Sequence, residues 1–194
     1  MDEHRIDPIA IDVGQLVQRS VTSLYSTLIT RPTGRAVRYA IESQLAGAGQ
    51  PALSLIDLSE VSLLDFSCAD EVVAKLLLRY LADDRPGEAF FVFGGVAEAH
   101  RHAIEIVLEK QSLAAVAQAA GGAFELIGIR SGPETRVWEV LEERGRISDG
   151  EVEEVLPDDE DRTALARLEE RRLVFRAADG ARVHALSALI RDLL

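Results

Sequence analysis

The sequence predicts an α/β domain, a mixed sheet with helices, followed by a smaller, mainly helical domain. Three observations carry this prediction. Between residues 35 and 110, apolar runs of strand length alternate with segments of helical period; residues 113–129 read as a hairpin; and after Ser131-Gly132-Pro133 the chain becomes denser in charge and poor in buried strand runs. The boundary is placed there, giving domains at 1–130 and 134–194.

Each element follows from its own pattern. Ile9, Ile11 and Val13 alternate with Ala10 and Asp12 as in a short strand, whereas the pattern over 16–29 is too weak to assign a type. The Pro32-Thr33-Gly34 corner opens a helix over 35–45, whose Val37, Ile41 and Leu45 recur every fourth residue until Gly47-Ala48-Gly49 stops it. From Ala52 to Leu58 the chain is apolar apart from Ser54 and Asp57, the signature of a central strand buried on both faces. Ser67 is the expected N-cap of an apolar helix over 69–81, with Asp70 and Glu71 in the first turn, where the helix dipole favours negative charge. A strand over 88–94 carries Phe90, Phe91 and Phe93, and a helix over 96–110 buries Ile104, Val107 and Leu108. The segments 113–118 and 124–129 form the hairpin, a helix end plus one strand being the alternative.

In the second part, Val137, Trp138 and Leu141 share one side of a helix over 134–144. Ser148, with Glu151 three residues on, opens a short unit to 155. An Arg-rich helix over 161–172, two strands within 174–186 around Asp179-Gly180, and a last helix over 187–194 complete the chain.

Composition narrows the function. The chain has 194 residues, 47% of them hydrophobic, which excludes a disordered polar chain and a disulfide scaffold. Its net charge of −12 opposes general attraction to phosphate polymers or anionic lipid, so any nucleic-acid contact must be local. The single cysteine, Cys68, allows neither an internal disulfide nor a cysteine-rich zinc site. No apolar stretch of about 18 residues and no basic-then-apolar leader is present, so the expectation is a cytoplasmic chain without membrane contact. His100 and His102, two apart on a helix, face different directions and make a poor metal pair; they are expected to be solvated. Cys68, beside a helix start, reads as a small buried thiol. No glycine-rich phosphate loop follows a strand, so no cofactor, metal or catalytic residue is expected, and the chain reads as non-enzymatic.

The segment LSLIDLSEVSLLDFSCADEVVAKLLLRYLA, Leu53 to Ala82, resembles the signature of the STAS fold of anti-sigma factor antagonists, with the resemblance in element order extending over residues 8–130. In phosphorylated members the loop reads Asp-Ser/Thr-Ser-Gly; Asp65, Phe66, Ser67 and Cys68 stand in those places, so Ser67 aligns with the phosphoacceptor. Phe66 replaces a small hydroxyl residue and Cys68 replaces glycine, and the run from Ser67 to Glu71 is similar to STAS-like variants that read Ser-Phe-Ala-Asp-Glu. The resemblance implies that Asp65, Ser67, Cys68, Asp70 and Glu71 form a docking loop for a protein partner, such as a kinase-type anti-sigma factor or another regulator, gated by phosphate on Ser67. Read from the residues alone, Ser67 caps a helix; capping and phosphorylation can coexist at one residue.

Residues 137–186, VWEVLEERGRISDGEVEEVLPDDEDRTALARLEERRLVFRAADGARVHAL, resemble a winged helix: three helices, then a two-stranded wing. The resemblance implies a third helix in a DNA major groove. Arg162, Thr163, Arg167, Arg171, Arg172, Arg176 and Arg182 are the candidate nucleic-acid or partner contacts, the six arginines standing against Glu169, Glu170 and Asp179. The acidic run from Asp158 to Asp161 just before that helix would repel phosphate, so contact with DNA and with protein both stay open. Two expectations result. One is a bacterial-type regulator that docks a protein through its STAS-like half and carries a winged-helix output module. The other is a DNA-binding transcription factor whose STAS-like half forms a homodimer or senses a ligand.

Overall fold

The structure, a computed structural model, describes residues 7–12, 27–48, 51–177 and 180–191. The expected Val13, most of the untyped segment 16–29, Asp179 of the wing turn and the end of the last helix lie outside them.

Strand β1 (Asp7–Asp12) opens the chain's described part; β2 (Thr27–Leu28) precedes helix α1 (Arg31–Ala46). That helix begins four residues before the expected start. Thr30 caps it by accepting the Thr33 N–H, and Pro32 fits the first turn, where no intrahelical donor is needed. Strands β3 (Ala52–Asp57) and β4 (Leu63–Leu64) lead into α2, built of three consecutive segments, Phe66–Ala69, the π-helical Asp70–Lys75, and Leu76–Leu81. Then come β5 (Ala89–Val96), α3 (Glu98–Lys110), β6 (Ala114–Ala119) and β7 (Phe124–Gly128).

The larger sheet has the order β1-β3-β5-β6-β7, with every neighbouring pair parallel except β6 and β7. The expected hairpin over 113–129 is therefore the antiparallel edge of a parallel sheet. Alternation along β3 sends Ala52 and Ile56 to one face and Leu53 and Leu55 to the other. The first face packs on α1, α2 and α3 through Ile41, Val72, Val73, Ile104 and Leu108.

The second face is covered by the C-terminal residues. Helix α4 (Gly132–Arg144) starts at a reciprocal cap: the Ser131 hydroxyl accepts the Glu134 N–H, and the Glu134 carboxylate accepts the Ser131 N–H at 2.7 Å. Strand β8 (Arg146–Ser148), a 3-10 turn (Asp149–Glu151), α5 (Val152–Val155), α6 (Asp159–Glu170), β9 (Val174–Arg176), β10 (Arg182–Ala185) and α7 (Leu186–Ile190) follow, and the three strands pair antiparallel in the order β8-β10-β9. Val137, Trp138, Leu168, Phe175 and Leu186 join Leu53, Phe90, Val92 and Leu126 in one hydrophobic cluster. The residues on either side of position 131 thus share a core, and the chain is of mixed α/β class.

Candidate docking surface

The loop between β4 and α2 is organised by Asp65. Its carboxylate accepts the Cys68 N–H at 2.8 Å, so Asp65, and not Ser67, is the N-cap of α2. Helix geometry explains the correction: a cap side chain reaches the N–H two or three residues on, and the extended backbone of Asp65 points its short carboxylate there. Ser67 stands in the first turn instead, half-buried, its hydroxyl 3.0 Å from both Asp65 oxygens.

Cys68 is fully buried, and its thiol donates to the Thr30 carbonyl at 2.9 Å. Burial, helped by the nearby Asp65 charge, pushes this thiol up to about 12, which removes the thiolate that nucleophilic chemistry needs. Among the described residues no group of three or more His, Cys, Asp or Glu is placed to hold a metal ion. No described helix is long and apolar enough to cross a membrane.

Glu71 sits at 0% exposure, which corrects the expectation that it faces a partner. The reason is a cage of cations drawn from two helices. Arg31 Nη1 approaches it at 3.1 Å, Arg38 Nε at 3.3 Å and Arg35 Nε at 4.0 Å from α1, and Lys75 closes from the next turn of α2. Burial works against the Glu71 charge, but hydrogen bonds from Lys75, Arg31 and Arg38 outweigh it and hold the carboxyl below its usual range. Asp70, at the surface, takes a second bond from Arg31 at 2.6 Å. The expected loop residues therefore divide: Asp65 and Glu71 are structural, Cys68 is interior, and Ser67 and Asp70 reach the surface in part.

What the surface offers is apolar. Phe66 is 49% exposed and Leu63 48%, while Leu64 beside it is buried in the core. The Phe66 ring meets His102 of α3 edge-on, with centroids 5.7 Å apart, and exposed Ile106 lies one turn further along the same helix face. His100, expected in solvent, is only 3% exposed, because its Nδ1 turns back to accept the Ala97 N–H at the start of α3.

The C-terminal arginines are mostly engaged inside the fold. Arg162 donates to the Leu156 and Pro157 carbonyls. Arg171 holds Glu134 at 2.7 Å and the Ile129 carbonyl at 2.6 Å, and Arg172 pairs with Glu88 at 3.2 Å while stacking on Phe90. Arg176 clamps Glu169 through two nitrogens and reaches Asp149 at 2.6 Å. Thr163 returns its hydroxyl to the Asp159 carbonyl, and Arg182 lies on β10. Arg167 is exposed and has no ion-pair partner among the described residues. The exposed start of α6 carries Asp158, Asp159 and Glu160.

Sequence reasoning missed the Glu71 cage and the exposed Phe66. The first had a signal, since Arg31, Arg35 and Arg38 recur at one helical period. The second had none, because solvent exposure of an aromatic residue is decided by what packs around it.

Comparison with family models, with curated proteins and with solved structures returned no match.

Proposed function

We propose that this protein is a non-enzymatic regulator that docks a protein partner through the surface around Phe66, gated by phosphate on Ser67. The observation that carries this reading is the juxtaposition of exposed Phe66 and Leu63 with the Ser67 hydroxyl bonded to Asp65. Large apolar side chains on a surface are suited to partner contact. A phosphate on Ser67 would turn its bond to Asp65 into repulsion between anions and loosen the cap on Cys68, next to the docking residue. The chemistry available to Cys68 supports a non-catalytic role.

The order α4-β8-α5-α6-β9-β10 supports a winged-helix reading of the C-terminal unit. Its arginines support contact with protein over DNA, since Arg162, Arg171, Arg172 and Arg176 already hold internal partners and an acidic helix start would meet the phosphates.

Crosslinked capture from the source cell tests the reading with wild type, Ser67→Ala, Ser67→Glu and Phe66→Glu. Wild type and Ser67→Ala should enrich one common partner, and the other two should lose it about tenfold, Phe66→Glu at unchanged Tm and Ser67→Glu at a slightly lowered one, as its loosened cap requires. Equal enrichment by all four would overturn the proposal. In parallel, anisotropy with genomic DNA between about 50 and 200 mM salt should show no steep salt slope; tight, salt-steep binding lost in Arg167→Ala would favour the transcription-factor reading instead.

A further inference from the structure

Strand β7 forms one edge of the larger sheet, β1 forming the other. Strand β7 pairs with β6 on one side, and among the described residues no strand lies on its other side. The Ala119 N–H donates to the Ala123 carbonyl and the Ile129 N–H to the Leu113 carbonyl. Antiparallel alternation from those two pairs, with the register Ala117 to Glu125 and Ala115 to Ile127, turns the backbone groups of Phe124, Leu126 and Gly128 away from β6. Gly128 is closed off, since its carbonyl accepts from the Arg130 guanidinium at 2.7 Å. The outward N–H and C=O of Phe124 and Leu126 have no partner among the described residues.

A groove of about 560 Å³ runs beside this edge, with Trp138, Leu126 and Phe124 as its apolar lining and two cations in it, Arg130, bonded to the Gly128 carbonyl, and Arg191, bonded to Glu142. Its other wall, α4, is acidic. Glu142 is bonded to Ser187 and Arg191, but Glu139 and Glu143 are exposed and have no ion pair among the described residues. These two carboxylates lie one turn apart on one helix face, about 6 Å of rise, close to the roughly 6.6 Å between alternate residues of a strand. Unpaired backbone groups beside apolar side chains and two unpaired carboxylates suit an extended segment that carries positive charge.

We propose that β7 accepts, by strand addition, an extended segment of a partner protein that carries Lys or Arg at alternate positions. Main-chain bonds to Phe124 and Leu126 hold the segment, and Glu139 and Glu143 select its charge.

The test is fluorescence anisotropy of the full chain with a labelled peptide of about nine residues alternating Lys and Val. It is compared with the same peptide N-methylated at alternate amides, and with the Glu139→Lys/Glu143→Lys variant, whose Tm confirms its fold. Binding should weaken about tenfold in each comparison, and the peptide should slow hydrogen exchange at Phe124 and Leu126. Absence of binding, or equal affinity for the N-methylated peptide, overturns the proposal. So does a free chain that dimerises with those two amides already protected, since the occupant is then a second copy.

Discussion

Gly34 of α1 lies so close to Cys68 of α2 that a Cβ at residue 34 would sit 2.9 Å from the Cys68 Cα and 3.1 Å from the Glu71 Cβ. This approach is what brings Thr30 over the Cys68 thiol and Arg31, Arg35 and Arg38 around Glu71. In an exposed helix, glycine to alanine stabilises by about 1 kcal/mol. Here the sign reverses, because the obstructing atom is backbone: Gly34→Ala should destabilise by roughly 1–3 kcal/mol in denaturant melts. A variant as stable as wild type, or more so, would show that the two helices are not held in this contact.

Glu71→Gln should cost about 3 kcal/mol at neutral pH, the low end for a broken buried pair, because Arg31 and Lys75 still reach solvent. The folded carboxyl titrates below the ordinary value of 4.5, so the unfolded chain takes up the proton first as pH falls. The contribution of Glu71 is therefore complete above pH 4.5 and is lost as pH drops through the lower folded value. Denaturation at descending pH should show wild type and variant converging; a pH-independent gap would contradict an ionised Glu71.

Cys68 should resist alkylation in the native protein at pH 8 and react only at the rate of unfolding. Its thiol keeps its proton until about 12 when folded but ionises near the ordinary 9.0 when unfolded. Stability from this group is consequently full below pH 9 and declines as pH rises above it. Labelling of native protein as fast as a free thiol would show an open path to the Cys68 sulfur.

Because Leu53, Phe90, Val92 and Leu126 share a cluster with Trp138, Leu168 and Leu186, the full chain should unfold in one transition. A fragment ending at residue 130 would expose that sheet face and should fail to fold cooperatively, and Trp138→Ala should lower stability of the whole chain by about 3–5 kcal/mol. Two separate calorimetric transitions would overturn the shared core.

Most elements were legible because their cause is local. The run from Ala52 to Leu58 reads as a strand covered on both faces, and Ser148 with Glu151 marked a helix start through contacts three residues apart, whereas the same pairing of Ser131 with Glu134 went unread and left the start of α4 two residues late. The cap at the candidate site was harder to read: Asp65 and Ser67 are both capping residues two positions apart, and the backbone path out of β4 chose between them.

By itself, then, the sequence determined the order of the main strands and helices and the mixed α/β class, but not the short strands β2, β4 and β8, the last of which adds a third strand to the expected two-stranded wing. Tertiary structure alone decided what covers the second sheet face, which arginines of the C-terminal unit stay exposed, and that Glu71 is interior while Phe66 is not. The physical reason is range. Capping and periodicity act within one or two turns of chain, whereas burial of Glu71 needs cations from a helix more than 30 residues earlier, and the engagement of Arg172 needs Glu88 at a separation of 84 residues.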